Sequence, residues 1–112
     1  GPRARALLAL QVTGLKPHFE ERLTTFEDVE RGKPFPDVYL LAAKRAGFEP
    51  AQCIVVEDSL TGVTAAVAAG CLALGFTGAH LHRAEHALQL ADLGAARVFH
   101  DMADLPDIIR TL

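Results

Sequence analysis

From Cys53 to Gly70 the chain reads C-I-V-V-E-D-S-L-T-G-V-T-A-A-V-A-A-G, and few folds accommodate that stretch. Cys53 to Val56 is an unbroken apolar run rich in β-branched residues, with no alternating polar position to face water. A strand of this composition is covered on both faces, as in a parallel sheet flanked by helices. Thr61 to Ala69 then reads as a helix of small residues closed by Gly70, and its alanines allow close packing on a sheet. Cys71 to Phe76 supplies the next buried strand. Strand, helix and strand in that order define an α/β layer with a parallel sheet.

The flanking segments extend the alternation. Pro36 to Ala46 carries Val38, Leu41, Ala42 and Arg45 on helical spacing, with a proline near its first turn and Gly47 as the stop. Arg83 to Leu90 reads as a helix and Arg97 to Phe99 as a short strand. Pro106 to Leu112 reads as a last helix, with Leu105, Ile108, Ile109 and Leu112 inward. On the N-terminal side, Ala4 to Val12 suits a helix ended near Gly14, and Leu23 to Phe26 a short strand. The expected architecture is a Rossmann-like three-layer α/β sandwich.

A chain of 112 residues holds at most one domain, and 50% apolar with 22% charged residues is ordinary for a folded protein. The formal charge of −3 gives no electrostatic reason to expect nucleic acid or an anionic membrane as partner. No apolar stretch approaches the ~20 residues of a membrane span. Cys53 and Cys71 lie in apolar runs as small core residues, without disulfide or zinc spacing. With no signal peptide in the sequence, the expected compartment is the cytoplasm.

The chemistry gathers at two places. In Arg31-Gly-Lys-Pro-Phe-Pro-Asp37, Lys33 stands between Gly32 and Pro34 in a constrained loop, where a lysine can supply a point charge to a phosphoryl oxygen or be simply an exposed loop lysine, and its pairing with the Glu57-Asp58 turn favours the first. Glu57 and Asp58 fall just past the end of the Cys53 to Val56 strand, where a parallel sheet opens its ligand crevice. Two hard oxygen donors suit Mg²⁺, which takes one or two carboxylates and leaves other positions to water and phosphate. Asp58, Ser59 and Thr61 equally suit the cap of the next helix. The spacing of His80, His82 and His86 permits a transition metal, but solvent-exposed imidazoles at a helix boundary are the expected reading.

The runs R-G-K-P-F-P-D-V-Y-L-L-A-A-K-R-A-G and C-I-V-V-E-D-S-L-T-G-V-T-A-A-V-A-A-G together resemble the third and fourth motifs of the haloacid dehalogenase superfamily, in its β-phosphoglucomutase-like and sugar-phosphate phosphatase branch. The resemblance implies that Lys33 steadies the phosphoryl group and the nucleophile. It implies that Glu57 and Asp58 anchor Mg²⁺, that Ser59 stands beside them, and that Gly62 keeps the helix start clear. It also implies a small phosphorylated metabolite as partner and an aspartyl-phosphate route, to water in a phosphatase or back to the sugar in a mutase.

The family's D-x-D-G-T motif, which holds the nucleophilic and acid/base aspartates, does not occur in the 112 residues. Neither the second motif nor a cap domain is represented, so the chain is expected to be the C-terminal portion of a larger core, inactive by itself. In the family's sheet the strands of the first two motifs lie at the centre. Their omission would leave the Cys53 to Val56 edge unpaired, to be met by self-association or by an upstream segment. A non-catalytic binding module is the other reading. A receiver-like domain is disfavoured, because no separate strand ends in an aspartate.

Overall fold

A computed structural model describes residues 5–9, 29–78 and 80–112. Four strands, β1 (Ala6–Ala9), β2 (Cys53–Glu57), β3 (Leu72–Phe76) and β4 (Arg97–Phe99), form one sheet in that spatial order. All three pairings are parallel, with Leu8 opposite Val55, Val56 opposite Leu74, and Gly75 opposite Val98. The helices are α1 (Asp37–Ala46), α2 (Leu60–Ala69), α3 (Arg83–Asp92) and α4 (Leu105–Arg110). Among the described residues no helix is long and apolar enough to cross a membrane.

Alternation along the strands divides the core into two. Cys53 and Val55 of β2 join Leu8 and Ala73 in a layer with Val38, Tyr39, Ala42 and Ala43 of α1, Val63, Ala65 and Ala66 of α2, and Leu90 of α3. Ile54 and Val56 face the other way, with Leu74 and Phe99, against Leu105 and the partly buried Ile108 and Ile109 of α4. All five residues of β2 are buried, because helices cover both of its faces. The result is the three-layer α/β sandwich expected from the alternation.

Helices α1 and α2 end at Gly47 and Gly70, both at positive φ (80° and 87°), the conformation that glycine adopts without a Cβ penalty. Two expectations on the N-terminal side are corrected. Ala6–Ala9, read as part of a helix, is a strand, and the remainder of that segment and the strand expected at Leu23 to Phe26 lie outside the described residues. The unpaired edge expected at Cys53 to Val56 is instead occupied by β1. The reason is the same for both: four apolar residues gain ladder partners for their N–H and C=O groups by lying along β2, and a short apolar run does not by its periodicity distinguish helix from strand.

Candidate active site

The carboxyl end of β2 delivers Glu57 into a pocket of donors. Lys33 Nζ donates to Glu57 Oε2 at 2.6 Å, and the hydroxyl of Tyr39, on the first turns of α1, donates to the same oxygen at 2.6 Å. The other oxygen, Oε1, accepts from the backbone N–H groups of Asp58 (3.1 Å) and Ser59 (3.2 Å) and from Ser59 Oγ (3.1 Å). Five donors meet a carboxylate with about four lone-pair sites. Burial pushes the Glu57 carboxyl upward, but the hydrogen bonds from Lys33 and Tyr39 and the Lys33 charge outweigh it and hold the group below its ordinary value. Burial and then the Glu57 charge push the Tyr39 hydroxyl strongly up, so it stays a donor.

The loop that brings Lys33 here is fastened at both ends. Arg31 grips Asp37 through Nε (3.3 Å) and Nη2 (3.0 Å), one nitrogen to each carboxylate oxygen, with its guanidinium 4.4 Å from the centre of the Phe35 ring. A fork-to-fork pair of this kind fixes direction as well as distance. Lys33 itself lies 5.4 Å from the centre of the Tyr39 ring.

Gly62 makes room for the cluster. A Cβ at this position would fall 2.0–2.3 Å from the Glu57 side chain, so the acid lies directly under the first turn of α2. Ser59 is the cap of α2, its Oγ accepting from Gly62 N at 3.0 Å while also donating to Glu57.

Asp58 is placed differently from its neighbour. It is exposed, and no cap bond is made by its carboxylate; the cap is Ser59. Although the residue is exposed as a whole, partial desolvation of its carboxyl beside Glu57, then the hydrogen bond and charge of Glu57, push that carboxyl up from the ordinary value. A second anion beside a buried one is the situation that a cation relieves. As donors for Mg²⁺ the two acids therefore divide: Glu57 has both oxygens engaged by protein donors, whereas Asp58 fits as the single carboxylate of a largely water-and-phosphate shell. Among the described residues no group of three or more His, Cys, Asp or Glu side chains gathers to hold a metal ion.

Lys33, Glu57, Ser59 and Gly62 are thus brought into contact, with Asp58 at their rim. Two contributors escaped sequence reasoning. Tyr39 is the chain's single tyrosine, two residues into α1, and a buried tyrosine hydroxyl needs a partner. His86, expected among exposed imidazoles, is instead 6% exposed, and its Nε2 lies 2.6 Å from the backbone oxygen of Asp58. Its place on α3, one turn before the buried Leu90, was the available signal.

The fold and site together are those of a parallel α/β sandwich with a lysine and an acidic pair joined at the carboxyl edge of an inner strand. Residues 1–70 match the family model of haloacid dehalogenase-like hydrolases, and the chain belongs to that family. It is 53% identical over 51 residues to hexitol phosphatase A of Escherichia coli, covering 46% of this chain and 24% of that protein. It is 45% identical over 67 residues to the fructose-1-phosphate phosphatase YqaB of the same organism, covering 60% and 34%. A solved haloacid dehalogenase-like protein of unknown function from Agrobacterium tumefaciens superposes with a TM-score of 0.74 at 41% identity, covering 88% of this chain and 45% of that one. The chain thus spans less than half the length of each of these three.

Proposed function

We propose that this chain forms the phosphoryl-steadying and cation-holding part of a phosphatase acting on small sugar phosphates. The observation that carries the reading is the 2.6 Å contact between Lys33 and Glu57, which joins two segments 24 positions apart in a buried cluster beside an exposed carboxylate. Relatives named for hexitol and fructose-1-phosphate phosphatase activity support the substrate class.

In this reading Glu57 does not touch substrate. It fixes the Lys33 ammonium at the crevice, where a preorganised charge stabilises a phosphoryl group without having to reorganise during transfer. Ser59 and Gly62 hold Glu57 in place. Asp58 would hold Mg²⁺, which when bound supplies Lewis-acid charge to a phosphoryl oxygen. The phosphoryl group passes to an aspartate and then to water. None of the 112 residues is assigned as that aspartate, because no D-x-D-G-T run occurs among them; the reading places it elsewhere in the protein, with the present chain as the C-terminal portion of the core. A β-phosphoglucomutase-like outcome would use the same cluster and differ in where the phosphoryl group goes next.

Two measurements test this. The 112 residues alone should release no phosphate from p-nitrophenyl phosphate with Mg²⁺. In the protein carrying the D-x-D-G-T segment, Asp58→Ala should lower hydrolysis of hexitol or fructose 1-phosphates by at least about 100-fold at saturating Mg²⁺, and by more than Lys33→Ala does. Unchanged activity in Asp58→Ala would reduce the acidic pair to a structural turn and sink the reading.

A further inference from the structure

The backbone carbonyl of Asp58 is the last before α2 begins. The Ser59 carbonyl already accepts from Val63 N at 3.1 Å as the first bond of the helix, and the β2–β3 ladder ends at Glu57 opposite Gly75. Neither helix nor sheet offers the Asp58 oxygen a donor. His86 of α3 does, at 2.6 Å from Nε2 and 28 positions along the chain, so this nitrogen carries the hydrogen. The imidazole is itself held. Its ring stacks on that of His80 with centroids 4.0 Å apart and planes within 3°, while His80 Nδ1 accepts from the backbone N–H of His82 at 3.1 Å.

Asp58 is therefore gripped on both sides of its Cα. Its N–H is fixed by Glu57 Oε1 and its carbonyl by His86. Two fixed peptide planes leave the Cα–Cβ bond one direction, so the carboxylate is confined to the few staggered χ1 positions about that bond by a residue that never touches it. We propose that His86 is a positioning residue, which through the Asp58 carbonyl orients the Asp58 carboxylate toward a divalent cation, with His80 as the ring that keeps His86 in register. This rests on the reading of Asp58 as the cation-holding carboxylate.

The test reads metal binding rather than turnover, so it separates from the phosphatase reading: absence of hydrolysis would overturn that activity without touching this result. Mn²⁺ serves as the probe, followed by the loss of its free-ion electron paramagnetic resonance signal in the intact protein. Groups that orient metal ligands change affinity by about 10–100-fold when lost, so His86→Leu should weaken Mn²⁺ binding at least about tenfold. His86→Gln, which keeps a donor at comparable reach, should stay within about threefold of wild type. A residue that only packed would show the reverse order, Leu being tolerated better than Gln, and that order overturns the proposal. So does wild-type affinity in His86→Leu while Asp58→Ala abolishes binding. Wild-type binding in Asp58→Ala overturns both this proposal and the metal role it rests on. Should His86→Leu fail to fold, ¹⁵N spectra of the wild-type protein decide: a slowly exchanging His86 Nε2–H coupled across its hydrogen bond to the Asp58 carbonyl is expected, and its absence rejects the proposal.

Discussion

The first and last residues of β2 are almost equally hidden from water, and they have opposite chemistry. Cys53 at the amino end is fully buried, its thiol beside that of Cys71 and 3.4 Å from the Glu49 carbonyl, with no charged group as partner among the described residues. Burial raises its thiol above the ordinary value and, with Cys53 as neighbour, pushes that of Cys71 up to about 12. Glu57 at the carboxyl end is 3% exposed yet held ionised, because five donors oppose what burial alone would do. Desolvation is common to both ends of the strand; the supply of partners separates inert core from reactive site.

The largest expected effect comes from emptying the charged end. Glu57→Ala removes the acceptor shared by the Lys33 ammonium, the Tyr39 and Ser59 hydroxyls and two loop amides, and removing one partner of a buried ion pair costs about 3–5 kcal/mol. Urea unfolding of wild type and variant measures it, and a loss below about 1 kcal/mol would place the pair with ordinary surface salt bridges. The same measurement has a pH signature. Because the folded carboxyl lies below its ordinary value of 4.5, its stabilisation is fully present above that pH and is lost as pH falls through the lower folded value. Glu57→Gln should remove that part of the acid slope.

Gly62→Ala sharpens the comparison without removing a charge. The added methyl occupies the space of the Glu57 side chain, and overpacking of this kind costs about 1–3 kcal/mol. Stability and the Lys33→Ala effect should fall together, since the displaced acid no longer holds the ammonium. An unchanged urea midpoint would show that the acid has another seat. The smallest effect belongs to the uncharged end, where Cys53→Ala should cost only about 1 kcal/mol and leave activity of the intact protein unchanged. A loss of activity there with stability preserved would break the division between the two ends.

Much of this arrangement was legible because local signals agreed. The Gly47 and Gly70 stops, the β-branched run of β2 and the alanines of α2 all point to the same layered fold, and the observed α1 and α2 begin within one residue of their expected starts. What was not legible is non-local. Ala6–Ala9 became a strand because β2 offered it a ladder, which no count of apolar positions reveals. His86 was grouped with His80 and His82 by spacing, although a helix turned it inward toward a carbonyl 28 positions away. Glu57 and Asp58 look equivalent as adjacent letters, and only the geometry assigns one to the donors behind the strand and the other to the crevice.

That assignment makes the order of the two letters a matter of reach. Glu57 must extend back beneath α2 as far as Lys33 and Tyr39, and an aspartate in its place would fall short by one carbon–carbon bond, about 1.5 Å. Hydrogen bonds of 2.6 Å do not stretch over such a gap. Exchanging the pair to Asp-Glu would keep the charge, the composition and both acids, and still sever the tether. The long acid has to precede the short one, much as a key is defined by the sequence of its cuts and not by their sum.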